Sequence, residues 1–260
     1  MKAPDYIIKA ARILGEAGYE AYAVGGCVRD TLMGKAPDDW DMTTNASPDE
    51  MKKAFTDFRV IETGLKHGTL TVLIDGTSVE ITAYRTEGEY SDNRHPDYVH
   101  FTKSLHEDLS RRDFTVNAMA FDPVTGEIAD MFGGKADLKN KIIRCVGSPD
   151  KRFGEDALRI LRALRFSSVL GFEIEKETAQ SIIKNRGLIN NLSAERIYAE
   201  LKKLITGKNV YNVMMKFAPV FAVFLPEISK EIGFDQQNFH HIYTLWEHTA
   251  IAVSHAAPDV

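Results

Sequence analysis

Residues 24–41 constrain this chain more than any other stretch. They read Val-Gly-Gly-Cys-Val-Arg-Asp-Thr-Leu-Met-Gly-Lys-Ala-Pro-Asp-Asp-Trp-Asp. A strand-like run at 20–24 leads into Gly25 and Gly26. A short helix beginning after them carries Arg29 and Asp30 in its first turn, and a tight loop with Gly34 and Pro37 then delivers Asp39 and Asp41. On an extended strand, residues i and i+2 share a face, so the two carboxylates are expected side by side, with Trp40 between.

Like charges held that close raise a pKa unless a cation answers them. Mg²⁺ suits the position, because it takes a few carboxylates together with phosphate oxygens. The glycines complement it. Without side chains, Gly25 and Gly26 let backbone N–H groups approach a phosphate at the start of a helix. Taken apart, a Gly-Gly turn and an acidic loop are ordinary surface features. Their combination at this spacing points to nucleotide chemistry, with Asp39 and Asp41 as catalytic and metal-holding candidates.

Gly25-Gly26-Cys27-Val28-Arg29-Asp30 followed by Asp39-Trp40-Asp41 resembles the signature of the bacterial tRNA CCA-adding enzyme and poly(A) polymerase family, the class II tRNA nucleotidyltransferases. The resemblance implies an α+β fold: a polymerase-β-like nucleotidyltransferase head, built as a mixed sheet with helices, followed by an all-helical neck and body domain. The corresponding boundaries are 1–147 for the head and 148–235 for a neck that binds nucleotide and RNA. Residues 236–260 would form the start of an HD-like helical segment. The resemblance further implies two Mg²⁺ ions, CTP and ATP as substrates, and the tRNA 3′ end as partner, with no membrane and no DNA. Arg29 joins Gly25 and Gly26 as a nucleotide-binding candidate.

At 260 residues with 44% hydrophobic content, the chain is long enough for one large or two smaller domains with a real core. The formal net charge of −5 argues against RNA binding by bulk charge, so an RNA site must be a local basic patch. Cys27 and Cys145 have neither metal-ligand spacing nor a disulfide framework, which fits a reduced, cytoplasmic compartment. No apolar run approaches membrane-spanning length.

Elsewhere in the first part, apolar spacing predicts a helix over 5–17, closed by Gly18. Ser47-Pro48-Asp49-Glu50 reads as an N-cap, a first-turn proline and a capping-box glutamate. Strands are expected over 59–63, 69–74 and 78–84, with Asp75-Gly76 turning the last two into a hairpin beside the Asp strand. Glu80 lies on that hairpin. It is either a third carboxylate facing the metals or an ordinary solvent-facing strand residue. Residues 85–98 are polar and rich in turn formers, a loop of functional length. The family resemblance implies that this segment moves as the site changes between nucleotides.

Two further signatures follow in order. Asp108-Leu-Ser-Arg-Arg-Asp-Phe-Thr-Val-Asn-Ala contains the family's Arg-Arg-Asp-Phe-Thr-x-Asn-Ala run. Physically, Arg112 offers a planar donor fork to phosphate or ribose oxygens, and Asp113 accepts from a sugar hydroxyl. Residues 130–138 read as a turn and a short helix, by default a plain connector before a strand at 142–146; the family has a similar Gly-x-x-Asp-Leu stretch between head and neck, and the resemblance makes it a hinge candidate. Residues 152–166 read as one long helix with Ala157, Leu158, Leu161, Leu164 and Phe166 as its apolar stripe. Arg159, Arg162 and Arg165 fall at i, i+3 and i+6, and Asp156 is placed to pair with Arg159.

The run Glu-Asp-x-x-Arg-x-x-Arg-x-x-Arg-Phe is the third signature. Cytosine and adenine both present an amino donor beside a ring-nitrogen acceptor, a pattern matched by a carboxylate next to a guanidinium. Uracil and guanine present the reverse. Asp156 and Arg159 are therefore expected to act as a protein template, leaving Arg162 and Arg165 to hold the triphosphate. Helices follow over 176–185, 193–205 and 210–217, with Arg196 and Glu200 bracing neighbouring helices. The stretch around His240, His241 and His248 resembles the opening of an HD domain without the later His-Asp pair.

These features predict a Mg²⁺-dependent, template-independent nucleotidyltransferase that adds C and A to the tRNA 3′ end. Within that class, a poly(A) polymerase or an enzyme limited to CC or A addition shares every motif. From other classes, the alternatives are an RNA-binding protein with an inactive transferase domain and a phosphohydrolase fragment using the terminal histidines. In the family a tRNA-holding body and tail would lie beyond residue 260, which predicts NTP binding with poor addition to tRNA.

Overall fold

The computed structural model describes residues 2–88, 98–237 and 242–256. It divides into two compact units that part between Asn140 and Lys141. This is ahead of the boundary expected at 147, because Ile142 and Ile143 pair in parallel with Glu173 and Ile174 of the second unit. Among the described residues, no helix is long and apolar enough to cross a membrane.

The first unit opens with α1 (Asp5–Glu16), β1 (Ala21–Val24), α2 (Gly26–Leu32), β2 (Asp41–Thr44) and α3 (Pro48–Ala54). The capping box at the start of α3 forms as expected: Glu50 N donates to Ser47 Oγ at 3.4 Å and Ser47 N to Glu50 Oε2 at 2.7 Å. Strands β3 (Arg59–Gly64), β4 (Thr69–Ile74) and β5 (Thr77–Ala83) follow. Asp75 and Gly76 both take positive φ, 50° and 82°, the backbone that a two-residue hairpin with right-handed strands requires. Next come β6 (Arg85–Glu87), β7 (Val99–Phe101), α4 (Leu105–Ser110), β8 (Met119–Phe121), β9 (Ile128–Asp130) and α5 (Gly134–Asn140). The polar loop expected over 85–98 lies mostly outside the described residues; its ends form the antiparallel pair β6–β7.

Seven of these strands make one mixed sheet in the order β3-β4-β5-β2-β1-β8-β9, in which β2 and β5 run parallel. Alternation along the strands gives the sheet two different faces. Ala23, Met42, Val79, Ile81, Met119 and Phe121 point into the large core, which Ile7 and Leu14 of α1 and Met51 of α3 complete. Val24 and Ala120 join Tyr84, Leu105 and Leu109 in a smaller cluster on the opposite face, beneath α4. Asp41 lies across from Val24 on β1 and from Glu80 on β5, so both carboxylates belong to that opposite face.

The second unit is helical apart from the short pair β10 (Ile142–Ile143) and β11 (Glu173–Ile174). Its helices are α6 (Pro149–Glu155), α7 (Leu158–Leu170), α8 (Lys176–Asn185), α9 (Ala194–Ile205), α10 (Val210–Lys216), α11 (Ala218–Phe224) and α12 (Leu245–His255). The single helix expected over 152–166 is two helices. Asp156 breaks the run with extended backbone (φ −137°, ψ 108°), and its Oδ1 accepts from Leu158 N at 3.0 Å, capping the start of α7. Asp competes with helical backbone in this way wherever its side chain reaches an N–H two residues on. The helix α12 docks through Trp246, which is buried and donates from Nε1 to Met214 O at 3.2 Å. His240, His241 and the last residues of the chain lie outside the described residues.

Candidate active site

The glycine turn is as tight as its sequence requires. Gly25 sits at φ 80°, ψ −132°, a backbone region that residues with a Cβ rarely enter, and caps α2. A Cβ at Gly25 would stand 3.5 Å from Arg112 Nη1, and one at Gly26 would stand 3.6 Å from Arg29 Nη2. Two guanidinium groups therefore lie over two bare backbone positions, an arrangement suited to a phosphate.

The two arginines are held differently. Arg29 is buried and grips Asp30 with both edges, Nε to Oδ1 at 2.9 Å and Nη2 to Oδ2 at 2.7 Å. Its Nη1 donates to Asn117 Oδ1 at 2.7 Å. Asn117 in turn donates from Nδ2 to Asp113 Oδ1 at 3.2 Å, which also accepts from Phe114 N at 2.8 Å. The first and second sequence signatures thus meet through Asn117, and Arg29 acts here as a brace. Arg112 is anchored by Nη2 to Asp108 Oδ2 at 3.3 Å, and its Nε is buried without a hydrogen-bond partner.

Asp39 and Asp41 reach solvent, while Trp40 between them is buried. Asp41 opens β2; Asp39 lies just ahead of it. The Asp41 carboxyl is pushed above the ordinary carboxylate range, first by loss of water, then by the charges of Glu80 and Asp39, with Arg112 opposing the rise. Glu80 is exposed and is the direct neighbour of Asp41 across the parallel strands, so it stands on the same face as that carboxylate. Among the described residues, no group of three or more His, Cys, Asp or Glu side chains is arranged to hold a metal ion. The donors are carboxylate oxygens short of positive charge, the chemistry of a hard cation that completes its shell elsewhere.

In the second unit the carboxylate of Asp156 does not meet Arg159. Arg159 is buried and donates from Nη1 to Glu155 Oε2 at 2.6 Å and to Arg152 O at 3.1 Å. Asp156 instead receives Arg196 Nη2 from α9, at 3.2 Å to each oxygen. The break at 156 explains the exchange, since Asp156 and Arg159 no longer share a helical face. Arg165 is also engaged. Its Nε donates to Glu200 Oε2 at 2.5 Å, and its guanidinium carbon lies 4.0 Å from the centre of the Phe166 ring. Arg165, expected to hold phosphate beside Arg162, thus has its Nε edge committed to Glu200. Arg162 lies 5.4 Å from the same ring. Arg196 and Glu200 do bridge α9 to the α6–α7 segment.

Sequence reasoning passed over Asp108, Glu155 and Asn117. The first two carried a usable signal: Asp108 stands three and four residues before Arg111 and Arg112, and Glu155 four before Arg159, the spacings at which helical ion pairs form. Asn117 was legible only as a member of the second signature: one partner, Asp113, stands four residues before it, but the other, Arg29, comes from α2.

A family model described as the poly A polymerase head domain matches residues 21–144, and one described as the probable RNA and SrmB-binding site of polymerase A matches residues 171–232. The CCA-adding enzyme of Lactobacillus helveticus (strain DPC 4571) is 52% identical over 209 residues, 79% of this chain and 52% of that protein. The CCA-adding enzyme of Ligilactobacillus salivarius (strain UCC118) is 47% identical over 242 residues, 89% of this chain and 59% of that protein. Among solved structures, the Bacillus stearothermophilus CCA-adding enzyme in complex with CTP is 41% identical with a TM-score of 0.76, covering 84% of this chain and 53% of that one. The Thermotoga maritima CCA-adding enzyme complexed with tRNA is 26% identical with a TM-score of 0.71, covering 85% and 52%. The chain spans about half the length of the curated relatives it matches. With head and RNA-binding segment both matched and the three signatures in order, the chain belongs to the bacterial CCA-adding enzyme and poly(A) polymerase family.

Proposed function

We propose that this chain transfers nucleotides from CTP and ATP to the 3′ end of tRNA. The observation that carries the reading is the acidic row of Asp39, Asp41 and Glu80 in the same unit as a glycine turn covered by Arg112. Relatives named CCA-adding enzyme, including one solved with CTP and one with tRNA, support it.

In the proposed reaction the RNA 3′-oxygen bonds to the α-phosphorus and pyrophosphate leaves. Gly25 and Gly26 admit the triphosphate to the backbone. Arg112 carries a charged fork to its oxygens, and Arg29 fixes the turn through Asp30 and Asn117. Asp113, held by Asn117 and Phe114, accepts from the ribose. Asp39 and Asp41 are suited to hold magnesium, with Glu80 adding negative charge beside them. When bound, magnesium there offsets phosphate charge and favours the deprotonated 3′-hydroxyl.

Base choice is assigned to the helical unit. Asp156 accepts from the amino group of cytosine or adenine, and Arg159 donates to the ring nitrogen. Arg162 serves the phosphates, whereas Arg165, tied to Glu200, supports α7. Such a reaction on tRNA fits a cytoplasmic protein whose two cysteines, Cys27 and Cys145, are both buried.

The test is incorporation into tRNA lacking its CCA end. Addition from CTP and ATP together, weak beside that of a full-length relative and abolished by Asp39→Ala with Asp41→Ala, is the expected result; activity surviving both substitutions ends the reading. Reactions with CTP alone and ATP alone separate CCA addition from CC-, A- or poly(A) addition.

A further inference from the structure

Glu87 lies at the end of β6, away from the glycine turn in sequence, yet a run of ion pairs joins them. Its side chain is 8% exposed, and Oε1 accepts from Arg85 Nη2 at 2.9 Å and Arg111 Nη1 at 3.0 Å. Arg111 turns its other edge to Asp108, with Nε at 3.1 Å and Nη2 at 2.8 Å from Oδ1. The Asp108 side chain is wholly buried. Its Oδ2 accepts from Arg112 Nη2 at 3.3 Å and from Thr43 Oγ1 at 3.3 Å, on the strand that begins at Asp41. Arg112 holds Nη1 over Gly25. The route from β6 to the phosphate cradle is therefore Glu87, Arg111, Asp108, Arg112.

Each link constrains the next. A guanidinium is planar and rigid, so a plane gripped at Nη1 by one carboxylate and at Nε and Nη2 by another has no freedom left to swing. Asp108 must serve two guanidinium groups and also accepts from Arg85 N at 3.4 Å. Glu87 relieves it by taking one edge of Arg111 and the guanidinium of Arg85. Arg85 depends on that carboxylate: burial and the nearby charge of Arg111 both disfavour its cationic form, and its Nε is already buried without a partner. Without the charge of Glu87, Arg85 and Arg111 would draw on Asp108, and its hold on Arg112 would loosen.

We propose that Glu87 is a positioning residue for nucleotide binding, acting through Arg111 and Asp108 on the Arg112 guanidinium. The proposal rests on the nucleotide-transfer reading and adds to it a residue that touches neither nucleotide nor metal.

The experiment measures CTP and ATP affinity by calorimetry with Mg²⁺ present. Glu87→Gln should weaken both nucleotides alike, by about three- to tenfold, and Glu87→Asp should restore part of the loss. Arg112→Lys should weaken binding by itself, and adding Glu87→Gln to it should cost little more, since both act through one side chain. A purely structural Glu87 predicts independent, additive losses instead. Should Glu87→Gln fail to fold, the same cycle is read with Glu87→Asp. Unchanged affinity in the single variant, or additive losses in the double variant, overturns the proposal. An unaltered chain that binds neither nucleotide overturns both this proposal and the reading beneath it.

Discussion

Arg159 donates to Glu155 at 2.6 Å, four residues back across the break between α6 and α7, while Asp156 between them receives Arg196 from another helix. The carboxylate and the guanidinium assigned to base selection are thus supported by separate partners. Arg159→Ala removes a donor and leaves Glu155 with Arg152 alone. Lost charged hydrogen bonds of roughly 1.5–3 kcal/mol correspond to ten- to hundredfold in selectivity. UTP and GTP should gain relative to CTP and ATP, read by incorporation from each nucleotide separately. Arg196→Ala should give the same signature by freeing Asp156, whereas Arg162→Ala should weaken all four nucleotides alike. Equal loss of all four in Arg159→Ala, with melting unchanged, would sink the template assignment.

Gly25→Ala tests the cradle. The backbone at φ 80° strains any residue with a Cβ, and the new methyl would face Arg112 Nη1 at 3.5 Å. A cost of about 1–3 kcal/mol is expected from the backbone. Nucleotide affinity should fall for all bases equally, because the turn meets phosphate rather than base. Calorimetry with CTP and UTP checks the equality; a loss confined to one base would contradict it.

Gly134→Ala tests a close approach at the start of α5. A Cβ there would stand 2.3 Å from Thr115 O and 2.8 Å from Met119 Cγ, so backbone must move. Overpacking of this kind costs about 1–3 kcal/mol. The urea midpoint should drop with an unchanged slope, and wild-type stability would show that α5 shifts freely. The displacement would also disturb Asp137, which accepts from Thr115 Oγ1 at 2.7 Å.

Acid stability should report the start of α3. The Ser47 N–H, then Lys103 and the Ser47 hydroxyl, hold the Glu50 carboxyl down at about 2, against an ordinary 4.5. A depressed carboxyl stabilises the fold fully above its unfolded pKa and loses that contribution as pH falls through the folded value. Stability should therefore decline between pH 4.5 and 2, and Glu50→Gln should flatten that part of the curve while lowering stability at pH 7. Thermal melts across this range give the comparison; an unchanged acid limb in the variant would remove Glu50 from the account.

What the sequence determined by itself is local or a matter of order. Ser47 and Glu50 cap a helix because their reach is three residues, and Asp75-Gly76 turns a hairpin because the turn needs positive φ at two adjacent positions. The buried Trp40 between exposed Asp39 and Asp41 follows from extended backbone in the same way. Three motifs in sequence were enough to indicate the family. Only the tertiary structure decided which charges meet. Glu80 faces Asp41 because β5 lies parallel to β2 at one particular register, set by the core beneath the sheet. Arg165 finds Glu200, and Asp156 finds Arg196, because α9 packs along that side of the second unit. Helical periodicity paired Asp156 with Arg159 by spacing alone, but the Asp156 side chain capped the next helix and turned away. Short-range rules act through the few bonds between neighbouring residues. Ion pairs across elements are settled only when hydrophobic burial has fixed where each strand and helix lies.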